Sequence, residues 1–415
     1  GDVDVQTVWN WTGGTLGPSG GVSVSDTLTV SGGDKTVTTP LSNQGQLHLN
    51  GATLTLGGNG THTGNFTLAA GAGLEFSGGT HTISQPLTID GNGTLTLSGG
   101  TWTGAGGVDV SIPWDWTGGT VSPDGGVTVS NTINISGGDK TVDVPFHNQG
   151  QVNVNSNIVT LNGDGTHSGD FAVADTAEID FSGGTHDFGS SVVFSGNGTT
   201  TLSAGSWGGA GDVTIQNTLD WTGGTLGPAN GILLTGTANV SGGDKTVDVD
   251  LDNHGLLHVA TDTLTLTGDG THASTFTVDA GATLDLGGGA HTLTGATLFD
   301  GDGTVLLSAG SLAGTGSAEF ATATNWTGGT ISPDGGVTVS DTLTVSGGDK
   351  TVAVVLNNQG TVQVAGDTLT LTGGGTHAST FTVDAGATLD LGGGAHTLTG
   401  ATLFDGDGTV LLSAG

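Results

Sequence analysis

Cysteine, methionine, tyrosine and arginine are all absent from the 415 residues, and lysine occurs only four times. Without cysteine there is no disulfide scaffold and no thiolate metal site, and the redox compartment leaves no trace in the chain. Against 38 acidic residues the four lysines leave a net charge of −34, which repels nucleic acid and anionic membranes. No apolar run is long enough for a membrane-spanning helix, no signal peptide is evident, and no stretch of ten residues has helical periodicity. Motifs of the G-x-S-x-G, H-E-x-x-H and phosphate-loop kinds are missing too. With neither arginine nor tyrosine, an enzyme of acidic polysaccharides lacks a cationic acid stabiliser and a phenolic base. The expectation is a chain without catalysis and without a cofactor.

What is present repeats. Trp11, Trp116, Trp221 and Trp326 each open the phrase WTGGT, and SGGDKTV recurs around Lys35, Lys140, Lys245 and Lys350, always 105 residues apart. A fixed period sets the architecture before any single motif does. It divides the chain into modules 1–105, 106–210, 211–315 and 316–415, the last incomplete. Residues 65–85 and 86–106 share one plan of 21 residues: a short alternating strand, a glycine-rich turn, a second strand, then SGGT and a third short stretch. Strict apolar/polar alternation is the strand signal, and glycine supplies the positive φ that sharp corners need. With 83 glycines but no Gly-X-Y period, collagen is excluded. Three short strands per coil predict an all-β fold, a right-handed parallel β-solenoid (β-helix) of about 20 coils of ~21 residues. Stacked at roughly 4.8 Å, these would make one continuous rod of ~95 Å. A tandem array of β-sandwiches, the rival reading, lacks such a sub-period and usually shows linkers.

Several residues invite a functional reading. His62 and His81 stand on consecutive coils and recur as His167/His186, His272/His291 and His377/His396. Leu16, Lys35, His62, His81 and Trp102 read as one mixed ladder, which suits a corner lining better than a ligand set. Two histidines without a fixed carboxylate make a weak metal site. The turns DGDGT, with Asp300, Asp302, Asp405 and Asp407, resemble calcium-binding turns, but the corresponding phrases are DGNGT and SGNGT in the first two modules. Asx turns account for them, with Ca²⁺ held weakly at most. The pairs Thr27/Thr29, Thr53/Thr55 and Thr94/Thr96 could order water in an ice-binding array, and the repeated tryptophans could stack on sugars. The lysine of SGGDKTV, the only cation of its module, could join an isopeptide bond with a residue such as Asn43. The blander expectation for each is packing, a turn, or an outward strand position.

The phrases LTLSGGTWTGAGGVDV, WTGGT and SGGDKTV, with NQG at Asn43, Asn148 and Asn358 and NHG at Asn253, are similar to the Gly/Thr-rich repeats of very large bacterial secreted and surface proteins. These include adhesin stalks of the autotransporter-passenger and filamentous-haemagglutinin-like kind. The resemblance implies an extracellular or cell-surface location and a filament, sheath or stalk role; it brings no site residues. Residues 263–310 and 368–415 differ only at Asp269 against Gly374, a duplication that suits an array in which length matters. The chain starts in mid-repeat at Gly1-Asp2-Val3 and shows no cap at either end. It is therefore expected to continue head to tail, within a longer chain or with another copy. The alternative expectation is a surface module that binds glycans, divalent cations or ice.

Overall fold

Alternation of apolar and polar residues puts every second side chain of a strand on one side. In the computed structural model, which describes residues 1–414, that pattern is met almost throughout: Thr27–Val30, Thr53–Leu56 and Asn65–Leu68 all bury their second and fourth residues. Among the described residues all elements are strands, they pair in parallel, and no helix occurs. The fold is a parallel β-solenoid of about 22 turns of ~19 residues. The chain forms two compact units, Gly1–Gly211 and Asp212–Gly415.

In the first unit one face can be followed by its inward residues. Trp9 pairs with Leu28, Leu28 with Leu47, and Leu47 with Phe66, each step 19 residues. Phe66 then pairs with Ile89, Ile89 with Val110, and Val110 with Val129, steps of 23, 21 and 19. From Leu28 to Val129 every member of this column is buried. Each apolar side chain so enclosed is worth about 1.5–3 kcal/mol relative to leaving it in water. The 21-residue turn expected from sequence is therefore a local feature, found where the sequence shows it most clearly, around residues 65–106. The commonest step is shorter.

The module and the turn do not match. In the second unit, Ile232–Leu234 and Val337–Val339 are equivalent strands one module apart, and the second comes sixteen strands after the first. At three strands per turn this is five and one-third turns. The consequence is visible in the pairing. Ile232–Leu234 stacks in one column with Val213–Ile215 and Leu251–Asn253, whereas Val337–Val339 stacks with Ser317–Phe320 and Leu356–Asn358. The first unit shows the same shift: Val22–Val24 lies between Val3–Val5 and Leu41–Asn43, and its equivalent Val127–Val129 follows the Trp9-to-Val110 column. Each repeat unit thus moves on by one face.

One interior position departs from the pattern. Ala238 stands where the other modules bury Leu28, Ile133 and Leu343. Beside it, Ile215, Leu219, Trp221, Leu234 and Val240 line a cavity of about 20 Å³. Because cavities cost stability in proportion to their volume, Ala238→Leu is expected to raise stability by about 1 kcal/mol. A urea-unfolding midpoint that moves up would agree; one that moves down would mean the site is too tight for the added carbons.

Candidate functional site

The four SGGDKTV corners are built alike. Gly32 has φ +67°, and a Cβ on it would lie 2.2 Å from the carbonyl oxygen of Thr12 in the turn before. Only glycine fits both demands. This corner brings its carbonyl oxygens around the lysine. Lys140 Nζ donates to the carbonyls of Ser136, Gly137 and Gly138 at 2.9, 3.3 and 2.7 Å. Lys35 reaches the equivalent carbonyls of Ser31, Gly32 and Gly33. Lys245 and Lys350 each reach two glycine carbonyls. All four ammonium groups also lie over the tryptophan of the preceding turn, 5.7–5.9 Å from its ring centroid. The attraction of a cation for a ring face adds to the charge-assisted bonds. Burial lowers the pKa of Lys140 and Lys245, while Asp139 beside the first and Asp262 and Asp244 beside the second pull the other way.

The rest of the phrase has work of its own. Asp34 accepts the backbone N–H of Thr53, and Asp139, Asp244 and Asp349 accept those of Ile158, Thr263 and Thr368, each 19 residues on. The tryptophan N–H is used too: Trp11, Trp116, Trp221 and Trp326 donate to Gly14, Gly119, Gly224 and Gly329 at 3.2–3.3 Å. These indoles are buried. Asn157, Asp262 and Asp367, at positive φ, accept the N–H of Gly138, Gly243 and Gly348 one turn back. The sequence reading had no signal for this last contact.

The asparagine of NQG proves to be an interior residue. Asn43, Asn148, Asn253 and Asn358 are fully buried. Asn43 Nδ2 donates to the carbonyls of Gly64 and Asn65 at 3.0 and 2.9 Å, and Asn148 does the same to Gly169 and Asp170. Asn253 reaches Thr275 and Asn358 reaches Thr380, so each stitches its turn to the next. Its amide is thus engaged with backbone, and the lysine of its module with a different set of carbonyls.

The histidines lie in the core, but not in the expected ladder. His62 pairs in register with Ile83, and His81 with Gly60 and Trp102. Lys35 pairs with Leu54, in another column. Of the mixed ladder from Leu16 to Trp102 only the last step, His81 to Trp102, is in register; the ladder breaks between Lys35 and His62, because that step is not one turn. The two rings nevertheless meet through their side chains. His62 Nε2 is 3.1 Å from His81 Nδ1, and the other three pairs are 3.0–3.1 Å apart. His81 Nε2 reaches the Gly78 carbonyl at 2.9 Å, and His186 the Gly183 carbonyl at 3.0 Å. Those two nitrogens must carry the proton, so in these two pairs Nδ1 of the second ring accepts from Nε2–H of the first. Burial, with the neighbouring ring second, lowers the pKa of His62 and of His272 to about 3.

Asp300, Asp302, Asp405 and Asp407 are all exposed; Asp300 and Asp405 end strands, and Asp302 and Asp407 lie in the bends that follow. Asp405 Oδ1 accepts the N–H of Gly406. Among the described residues no group of three or more His, Asp or Glu comes together in a geometry for a metal ion. The T-x-T pairs fall in broken columns: Thr27 and Thr29 lie beside Gln46 and His48, and Gly73 and Glu75 separate Thr53 and Thr55 from Thr94 and Thr96.

The single difference in the duplicated segment has a structural counterpart. Asp269 Oδ1 accepts the N–H of Ala290 at 2.7 Å, and the strand runs Ala290–Leu293. Where Gly374 replaces it, the equivalent strand is His396–Leu398, one residue shorter at its start. Asp269→Gly is expected to cost about 1 kcal/mol and to speed exchange of the Ala290 amide. An unchanged rate would mean that the carboxylate bond does not hold this strand start. No family model matches the chain, and neither a curated protein nor a solved structure matches it.

Proposed function

We propose that this chain is a structural, non-catalytic repeat protein that works outside the cell, as a length of filament, sheath or adhesin stalk of the bacterial Gly/Thr-rich kind it resembles, with further coils of the same plan as its partner. One observation carries the reading. The Asp and Lys of SGGDKTV, the Trp of WTGGT, the Asn of NQG or NHG and the two histidines are each bonded to backbone or to another interior group. Their repetition is accounted for by turn building alone. A binding face would instead need outward side chains that match from one turn to the next; the Thr of SGGDKTV points outward once per module, and the column Asp115, Asn134, Asn153 and Ala172 changes at almost every turn.

Immunogold electron microscopy of the cells that make the protein, with antibody raised against this chain, tests the proposal. Label along extended material at or beyond the cell surface is expected. Label confined to the cytosol, or to compact particles, would overturn it.

A further inference from the structure

The paired histidines do more than fill space. In the first module the bonds run in one direction: the Asn43 backbone N–H donates to His62 Nδ1, His62 Nε2–H to His81 Nδ1, and His81 Nε2–H to the Gly78 carbonyl. Both acceptor nitrogens already face a donor. A proton added to either ring therefore sets two N–H groups against each other, and one bond must break. The third pair has the same entry, from Asn253 N–H to His272 Nδ1 at 3.4 Å. In the second and fourth pairs His167 Nδ1 and His377 Nδ1 are buried without a partner. A proton there makes an unpaired cation in an apolar site, which is no easier.

The surroundings offer little relief. His62 packs edge-on against Phe66 and Phe76, and Phe76 also contacts His81 and Trp102. His62 has only His81 acting on it, and His377 only His396. Beside His81 the ionisable group in contact is His62 itself. His147 adds to His186 in opposing charge on His167, and His254 adds to His291 in opposing it on His272. Asp164 favours charge on His186, and Asp269 on His291. No carboxylate bonds to any of the rings.

Each pair also ties consecutive turns together. His62 belongs to Gly60–His62 and His81 to the strand ending at Ile83, which stack directly, and the other three pairs join the equivalent strands. We propose that the four histidine pairs are acid-operated latches, each of which parts its two turns when one ring is protonated and closes again on neutralisation, while the lysine corners of the same modules stay shut. The lysine ammonium already holds its proton and donates only to backbone carbonyls, so it offers acid no lone pair in the cage. The carboxylates of the corner, Asp34 and Asp139, hold the N–H groups of Thr53 and Ile158, outside the lysine segments 35–37 and 140–142.

Hydrogen exchange followed by mass spectrometry at pH 6.5 and pH 3, corrected for the intrinsic rate at each pH, reads this out. The segments 60–62 and 80–83, with 165–167 and 185–188, are expected to lose protection about tenfold or more at pH 3. Segments 35–37 and 140–142 should hold theirs, and neutralisation should restore the pattern. The double variant His62→Val/His81→Leu should lose the response in its own turns and keep it at 165–167. Apolar residues already stand opposite both positions, Ile83 and Trp102. Equal loss of protection at latch and lysine segments, or full protection of the latch at pH 3, would overturn the proposal. These two outcomes are read from the unaltered chain, so the test stands even if the variant does not fold.

Discussion

Trp116→Ala is expected to cost about 4 kcal/mol of stability in the first unit, the usual price of a large buried aromatic side chain. Trp116 is 1% exposed, stacks on Trp114 with ring centroids 5.8 Å apart, donates to the Gly119 carbonyl and roofs the Lys140 ammonium. Losing the ring leaves a cavity, and it also opens the lysine cage to solvent from one side. Asp115, the neighbour that points outward, is the control. Its side chain accepts only from Asn134, so Asp115→Ala should change stability by no more than about 0.5 kcal/mol. Urea unfolding monitored by circular dichroism gives both numbers. Equal effects of the two substitutions would contradict the assignment of inner and outer faces on which the motif reading depends.

The second large effect is on pH. The buried histidines have pKa values pushed down from 6.5, to about 3 for His62 and His272 and to about 4 for His186 and His377. The unfolded chain takes up those protons near pH 6.5 while the folded chain refuses them. Stability is therefore fully present above pH 6.5 and falls as pH drops, until the folded-state values are reached. The slope is about 1.4 kcal/mol per pH unit for each ring protonated only on unfolding. With two pairs in each compact unit and one ring counted per pair, each unit should lose up to about 3 kcal/mol per pH unit between pH 6 and pH 4. An opposing term exists. The net charge of −34 shrinks as carboxylates take up protons, which relieves self-repulsion. Exposed charges are screened by salt over about 8–10 Å, whereas a buried ring is not. In 0.15 M salt the histidine term should win. A urea midpoint lower at pH 4.5 than at pH 7 is the expected result, and a maximum near pH 4.5 would mean that charge relief dominates.

Much of the fold is written in the sequence in a form that alternation and glycine make readable. Phe66 and Leu68 on one face, and the glycine pair before Lys35, place strands and corners correctly. The turn length is harder to read. The 105-residue period divides evenly into five coils of 21, and within the first module the two segments that share one plan, 65–85 and 86–106, lie in the long turns. The shorter 19-residue turns share no such phrase, since alternation with small polar residues outside is satisfied by many sequences. Sixteen strands per module cannot be divided evenly by three, so no count of whole coils fits the repeat.

The ladder of site residues fails for a related reason. It takes the 27 residues from Lys35 to His62 as one coil; in the observed register the two stand in different columns, and the histidine neighbours are Gly60, Ile83 and Trp102. That the histidines meet ring to ring depends on side-chain directions that spacing does not give. Nothing in the NQG phrase itself marks its asparagine as an interior residue. What it does depends on carbonyls 21 and 22 residues later, which become neighbours only when the next turn closes over it.

The 19-residue turn underlies every motif assignment, and a chain without cysteine allows it to be measured cleanly. Asn134 and Asn153 point outward from stacked strands, with Asn153 Nδ2 at 2.9 Å from Asn134 Oδ1. Oxidation of the pair Asn134→Cys/Asn153→Cys should yield an intramolecular disulfide readily. The pair Asn134→Cys/Asn155→Cys, spaced for a 21-residue coil, should not, because residue 155 lies two positions further along the next strand's path. Cross-linking of the second pair in preference to the first would contradict the register, and with it the account of what the repeated residues do.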